Sequence, residues 1–504
     1  MSGPVPELET RARACADRLL EADAVLHASH IDADGLTSGA IATTALRRAG
    51  VSVETVFEKQ LDESAIARMA ATDYDVVLFT DFGSGQLDVV AEYEAEGAFT
   101  PVIADHHQPA TDDGGERFDT EFHLNPLLFG IDGASELSGA GAAYVLARAM
   151  ADAVGSEAAA GGDGPATDGG VDAAGTASDS TGDNRDLAAL AVVGAVGDMQ
   201  ASGGELTGAN AGIVEEGVEA GVIDTGQDLS LYGKQTRPLP KLLEYASELR
   251  IPGISNDEGG CVRFLDGLDL ELRAADGDWR TWADLSRDER RTVVSALVRR
   301  AVERGVPASR IDDIVGTTYE LSAEAPGTEL RDASEFSTLL NATARYERPD
   351  VGLAVCLGNR DGALTRARRL LANHRRNLSS GLDLVRREGV TRAEHVQWFD
   401  AGDRIRETIV GIVAGMAMGT DGVDADRPII AFADADEGET KVSARGTPAL
   451  VRRGLDLSTA MTGAAKAVGG EGGGHDVAAG ATIPSGQEEA FVEQVDRIVG
   501  GQLG

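Results

Sequence analysis

The chain has 504 residues, enough for two to four domains, and a hydrophobic share of 42% is ample for folded cores. Its formal charge of −39, with only Lys59, Lys234, Lys241, Lys441 and Lys466 as lysines, excludes a broad electrostatic grip on nucleic acid. It reads as a halophile's acidic surface, the alternative being a surface that merely avoids acidic partners.

No leader with a basic start and apolar core is visible, and no run of about eighteen apolar residues occurs. Export and membrane insertion are therefore not expected. Cys15, Cys261 and Cys356 lie far apart without metal-type spacing, which fits a reducing, cytoplasmic setting better than a disulfide framework or a zinc site.

The first 150 residues alternate strand-like apolar runs with amphipathic helical ones, the pattern of a doubly wound α/β domain with a parallel sheet. Residues 24–28 read as a strand, 37–49 as a helix, and 51–57, 76–80 and 101–104 as further strands. Histidine and acid clusters begin where these strands end. Three of the eight histidines fall in two short stretches, Ser29–Gly35 and Ile103–His107. In open α/β sheets ligands bind outside the carboxyl ends of the strands, so the two stretches can converge there.

His30, Asp32 and Asp34 alternate along what reads as an extended segment, which would turn all three side chains to one face. Gly35 allows a sharp turn into the following helix. Asp81 ends the run Val76–Thr80 and is placed to bridge two cations. Asp105, His106 and His107 follow the next strand, and adjacent histidines project in different directions. Carboxylates and imidazoles together suit divalent cations such as manganese, and two cations can hold the attacking and leaving oxygens of a phosphoryl transfer. Each cluster alone also fits a bland role: a helix cap, a turn aspartate or a surface histidine pair.

From Val154 to Asn184 the sequence turns to Gly, Ala, Ser, Thr and Asp, and a disordered acidic insertion is expected. An apolar helical run, 187–197, then leads to Asp198, a further carboxylate. The stretch 227–345 reads as a small middle module with a basic amphipathic helix at 287–305 and a helix from Ala333. Its Lys234, Arg237 and Lys241 either line a strand-binding path or face solvent. From 346 to 504 a second α/β domain is expected, with strands at 352–357, 396–399, 429–433 and 441–444. Arg445 offers a fork of donors for a phosphate, and the glycines before His475 let backbone N–H groups approach an anion. A surface salt bridge and a plain flexible turn are the alternatives.

Taken in order, SHIDADG, TDFG, ADHH and VGAVGD resemble the four motifs of the DHH phosphoesterases, while VSARG and GGEGGGHDVAAG resemble the DHH-associated domain. The resemblance covers residues 24–484 apart from the acidic insertion. It implies a DHH catalytic domain over 1–226, a DHH-associated substrate-binding domain over 346–504, and an active site in the cleft between them. It further implies two divalent cations, manganese before magnesium or cobalt, on His30, Asp32, Asp34, Asp81, His106 and Asp198. Asp81 would bridge them, and Asp105 would stand behind them or serve as an occasional ligand. His107 would meet the scissile phosphate or assist the leaving oxygen, and the nucleophile would be a water activated by the two cations. Arg445, Gly473, Gly474 and His475 would bind the nucleotide.

Length and the middle module make the chain most similar to archaeal RecJ-like single-strand nucleases, a group that includes partners of the GINS replication complex. Two departures from bacterial RecJ stand out. His30 occupies the place of a usual aspartate, and the 29 residues after His475 are too few for an oligonucleotide-binding barrel. The expected activity is a manganese-dependent exonuclease on single-stranded DNA or RNA. The alternatives are a phosphodiesterase of short oligonucleotides, cyclic dinucleotides or nucleotide phosphates, and a helicase-associated replication scaffold.

Overall fold

Five strands, β1 (Ala24–His30), β2 (Ser52–Glu58), β3 (Val76–Thr80), β4 (Thr100–Ala104) and β5 (His123–Leu124), pair in the order β2-β1-β3-β4-β5, all parallel. The computed structural model describes residues 3–112, 115–160, 182–201, 204–246, 249, 251–420, 422–435 and 438–504. Side chains alternate across the sheet. Leu26, Ala28, Val77, Phe79 and Ile103 pack on Ile66, Leu87 and Val90 of the helices Glu63–Ala70 and Leu87–Ala95. The helices Ala33–Arg48 and Gly139–Ala160 cover the other face. Burial on both faces explains why β3 and β4 read as continuous apolar runs. The strand order reverses between β1 and β3, which opens the crevice at their carboxyl ends.

The first helix after β1 starts at Ala33, not at Thr37 as the sequence pattern suggested. Asp32 caps it, its Oδ1 accepting from the Gly35 N–H at 3.0 Å. Asp34 therefore sits in the first helical turn, and the extended segment expected through His30, Asp32 and Asp34 stops at His30. The helix Gly139–Ala160 also runs into the stretch expected to be disordered, and Gly182–Asn184 are described, with Asn184 buried and donating to the Ala147 carbonyl. The rest of that stretch, 161–181, lies outside the described residues.

A two-stranded antiparallel ribbon, β6 (Ile223–Leu229) with β7 (Val315–Leu321), frames the middle of the chain. Between its strands a separate core gathers Leu239, Leu243, Leu265, Trp282, Val293 and Leu297. The helix Arg287–Glu303 opens with a capping box, Ser286 and Glu289 each satisfying the other's backbone N–H. Lys234 is buried against Asp332 at 3.4 Å and Lys241 pairs with Glu244 and Glu258. Arg237 stacks between Tyr232 and Tyr245.

Of residues 352–357, expected as a strand, 352–356 belong to the helix Pro349–Cys356 and Leu357 caps it. A short, wholly apolar run carries no period to separate strand from buried helix, and Pro349 at its first turn favours the helix.

The chain divides into two compact units, Met1–Ala367 and Arg368–Gly504. The second holds a mixed six-stranded sheet, built from β8 (Thr391–Arg392), β9 (Gln397–Asp400), β10 (Ile429–Asp434), β11 (Glu439–Arg445), β12 (Glu471–Gly474) and β13 (Ala478–Pro484), in the order β12-β13-β11-β10-β9-β8. Ile430 and Phe432 face the helices Leu457–Val468 and Glu488–Leu503, while Ile429, Ala431 and Ala433 face the helix Glu407–Ala417. Cys15, Cys261 and Cys356 are buried and unpaired. Among the described residues no helix is long and apolar enough to cross a membrane.

Candidate metal centre

The carboxyl ends of β1, β3 and β4 bring His30, Asp81 and the Asp105-His106-His107 run together, and the helix Ala188–Gly197 adds Asp198 as its C-terminal cap. Three groups result, each with donor atoms within 4.8 Å of one another: His30 with Asp32 and Asp81; Asp34 with His106 and Asp198; and Asp81 with Asp105, His106 and His107.

Asp81 stands in the middle. Its Oδ2 lies 3.5 Å from His30 Nδ1 and its Oδ1 lies 3.2 Å from His106 Nε2. The two oxygens of one carboxylate thus face different histidines. Asp81 is 2% exposed, and Oδ1 has no hydrogen bond of proper geometry despite its burial. A buried, unsatisfied carboxylate oxygen costs several kcal/mol, on the order of 1–3 or more, unless a cation takes the place of the missing donor. Its backbone is left-handed, with φ of 59°, a conformation that non-glycine residues hold chiefly where the surroundings impose it.

The residues around Asp81 aim the donors. His106 Nδ1 donates to the Gly133 carbonyl at 2.7 Å, so Nε2 is the nitrogen that faces Asp81 and, at 3.8 Å, Asp34. That arrangement suits a metal-ligating imidazole. Asp34 accepts from the N–H groups of Gly139 and Ala140 at 2.7 and 3.0 Å, at the start of the Gly139–Ala160 helix. Asp198 Oδ2 accepts from Gln200 Nε2 at 2.9 Å, and Gln200 also bonds the Gly133 carbonyl and Asn210.

Charge crowding is severe. Burial, then the neighbouring Asp81 and Asp198 carboxylates, push Asp34 well above the usual carboxylate range even though two N–H groups point at it. Burial likewise raises Asp198, with Asp81 adding to the shift. Burial opposes the charged form of Asp81 too, but His106 and His30 overcome it and hold this carboxyl low. Burial pulls the His30 imidazole down, and the carboxylates of Asp32 and Asp81 outweigh it and push it up to about 11. Three buried or half-buried aspartates sharing two histidines form a donor set that fits divalent cations, because positive charge relieves the repulsion the protein has built in.

Asp105 is completely buried beside this cluster. Its Oδ2 accepts from the Ser84 N–H at 3.0 Å, and its Oδ1 accepts from His107 Nδ1 at 2.8 Å. His107 is half exposed, and its Nδ1 is engaged by Asp105, which leaves Nε2 as the other ring nitrogen. Ser84 Oγ in turn bonds His123 Nε2 and Asn125 Nδ2, both at 2.8 Å, and Asn125 Nδ2 also reaches the His107 carbonyl. A second buried chain runs from His27 Nε2 through Thr80 and Ser29 to the Gly35 carbonyl, which fixes the turn between β1 and its helix. Sequence reasoning singled out none of Ser84, Asn125, His123, His27 or Gln200. Scattered polar residues in apolar surroundings were the available signal.

Beside the centre a cavity of about 470 Å³ is lined by His30, Lys59, Gln60, Phe82, Gln86 and His107. In the other unit, β11 ends at Arg445, which pairs in register with Ala478, and Gly474 pairs with Ala479. Arg445, Gly473, Gly474 and the exposed His475 therefore meet at one end of that sheet. The glycines are in an edge strand as well as a turn. A Cβ at Gly472 would stand 2.7 Å from the Met461 carbonyl oxygen, and Gly474 holds φ of 139°.

Comparison with known proteins agrees with these features. Residues 231–315 match the DHH-CID domain and residues 395–501 the DHHA1 domain. An uncharacterized protein of Methanocaldococcus jannaschii is 27% identical, with all of both chains covered. RecJ in complex with Mn2+ from Thermus thermophilus superposes with a TM-score of 0.58 at 18% identity, over 99% of this chain and 56% of that one, so the chain spans little more than half of that RecJ. CDC45 from Entamoeba histolytica superposes with a TM-score of 0.62 at 11% identity, over 97% of both chains. The fold is thus shared with RecJ and CDC45, and two segments of the chain match the DHH-CID and DHHA1 domains.

Proposed function

We propose that the protein is a manganese-dependent phosphodiesterase, an exonuclease acting on single-stranded DNA or RNA in replication, repair or RNA turnover. The observation that carries this reading is Asp81, whose two oxygens face His30 on one side and His106 on the other. His30, Asp32, Asp34, Asp81, His106 and Asp198 would hold two divalent cations. When bound, such a pair lowers the pKa of water and offsets charge on a phosphodiester. Manganese fits a set of carboxylates and imidazoles, and the RecJ structure with Mn2+ shares the fold.

The protein's own groups have definable tasks. His107, oriented by Asp105, would contact the scissile phosphate and pass a proton to the leaving oxygen from Nε2. Ser84 and Asn125 hold this pair in place. Arg445, Gly473, Gly474 and His475 would bind the nucleotide phosphate in the DHHA1 domain, the arginine through its two-pronged donor edge.

The likeness to CDC45 favours a second reading, a replication-complex scaffold that docks to GINS. The complete donor set argues for catalysis, and the two roles are compatible in one chain. A phosphodiesterase confined to short oligonucleotides, cyclic dinucleotides or nucleotide phosphates is the other enzymatic reading.

The test is hydrolysis of end-labelled DNA and RNA strands, from two to about thirty nucleotides, with manganese. Stepwise shortening of long strands is expected, and Asp81→Ala should abolish it while leaving the circular dichroism spectrum unchanged. Cleavage of the shortest strands alone would move the protein to the oligonucleotide branch. Undiminished activity in Asp81→Ala would overturn the metal assignment.

A further inference from the structure

Ala33 stands between two donors that belong to different groups of the candidate metal centre: Asp32 goes with His30 and Asp81, and Asp34 with His106 and Asp198. Whatever fixes Ala33 therefore fixes the distance from one group to the other. Its N–H opens the helix Ala33–Arg48, and the first N–H groups of a helix have no partner inside it. Asp32 does not supply one, because its Oδ1 is engaged by the Gly35 N–H at 3.0 Å. Ala33 is 1% exposed, so water is no ready substitute. The acceptor comes instead from 308 positions away: Asn341 Oδ1 takes the Ala33 N–H at 3.1 Å. A backbone donor fixes which way the amide is turned, because only its oxygen can accept.

Asn341 lies on the helix Ala333–Arg345, which is held firmly at its start and along its length. Asp332 caps it by accepting from the Ser334 and Glu335 N–H groups, Glu335 Oε1 accepts from the Gln235 N–H at 2.7 Å, and Phe336, Leu339 and Leu340 are buried. The same helix meets the segment that carries Asp198. A Cβ on Gly197, the residue before it, would stand 2.8 Å from Ala33 Cβ and 3.1 Å from Ser337 Cβ. The neighbours of Asp32, Asp34 and Asp198 thus interlock at one point, with Ser337 and Asn341 behind them.

We propose that Asn341 is a positioning residue that sets the separation of the two cation positions. The proposal rests on the reading of the six donors as two such positions. Asn341 bonds the backbone between two donors, so it acts through them and not as a ligand. Without it a buried donor loses its acceptor, and the turn shifts until that N–H finds another. Asp32 and Asp34 shift with the turn, each in a different group, so one lost hydrogen bond disturbs both positions and the spacing between them. A neutral amide suits the place. Burial and neighbouring carboxylates already raise Asp34 and Asp198, and a carboxylate at 341 would offer the same acceptor while adding one more negative charge.

The experiment uses the full chain, freed of metal with EDTA and desalted, and manganese alone. Electron paramagnetic resonance at two equivalents should show an exchange-coupled pair in the wild type, because both positions share the Asp81 carboxylate. In Asn341→Ala the signal of isolated ions should replace it, with the circular dichroism spectrum unchanged. Calorimetric titration should show manganese bound about tenfold or more weakly, the usual effect of losing a group that orients metal ligands. Asn341→Asp, which keeps the acceptor, should restore the coupled signal. Gly197→Ala, which wedges the same point from the opposite side without touching the hydrogen bond, should lose it. Thr338→Ala, whose hydroxyl bonds the Ser334 carbonyl within its own helix at 2.8 Å, should match the wild type. A coupled signal with wild-type affinity in Asn341→Ala would overturn the proposal. Equal losses in Thr338→Ala, or an Asn341→Asp protein that stays uncoupled, would do the same. Should Asn341→Ala not fold, Asn341→Asp and Gly197→Ala decide the question by the same signals. A wild type that binds no manganese sinks the metal reading and this role together, whereas a coupled wild type beside an unaffected Asn341→Ala sinks the positioning role alone.

Discussion

Two glycines and a histidine decide more of this centre than their chemistry suggests. A Cβ at Gly139 would stand 2.4 Å from Asp81 Oδ1 and 2.8 Å from its Cγ, closer than real Cβ atoms come. Gly139→Ala is therefore expected to displace the shared carboxylate and weaken manganese binding by more than tenfold in isothermal titration, with the melting temperature lowered far less than for a core truncation. Gly35 is held to the same standard by the His30 carbonyl oxygen, 2.1 Å from where its Cβ would be. His27 is fully buried among Thr43 and Thr80, and burial pulls its imidazole down to about 3 from an ordinary 6.5. The folded chain keeps it neutral while the unfolded chain accepts a proton. Its contribution to stability is thus complete above about pH 6.5 and is lost as the pH falls from there toward 3, at up to about 1.4 kcal/mol per unit. Urea midpoints of wild type and His27→Gln at about pH 7.5 and 5.5 should show the smaller acid-induced drop in the variant.

Elements were legible in the sequence where a period or a break announced them. β3 and β4 are bounded by polar turns and covered on both faces, so their apolar runs and their ends could be read directly. The clustering of His30, Asp81 and His106 at strand ends followed from the open-sheet rule. Asp34 was legible as a member of the cluster but not as a helical residue, because Asp32 caps the helix and a capped turn looks like an extended alternation until the Gly35 N–H is seen to bond back. Ser84, Asn125 and Gln200 stayed invisible because they act through contacts with residues distant in the chain. The capping box on the Arg287–Glu303 helix is visible both in sequence and in structure. Ser286→Ala should cost about 1 kcal/mol, seen as a lower unfolding midpoint of the DHH-CID region in hydrogen exchange, with dinucleotide hydrolysis unchanged.

At the scale of the whole molecule, charge is the governing quantity. A net charge of −39 produces self-repulsion that favours expanded states, and salt screens it. The urea midpoint is expected to rise between about 0.1 and 2 M potassium chloride. A midpoint that falls or stays level would show that the acidic surface has no stabilising relation to salt.

The candidate donors for a metal centre are spread from His30 to Asp198, across β1, β3, β4 and the helix that ends at Asp198. During synthesis the chain emerges from its amino terminus, and pairings between distant positions close last. Asp32, Asp81 and His106 can gather early, but the group of Asp34, His106 and Asp198 is completed only after nearly two hundred residues have been made. A nascent chain cut short before Asp198 lacks one of the six donors. If these residues hold two cations, the order of the motifs along the polypeptide leaves the second position incomplete until rather more than half of the first unit has been made.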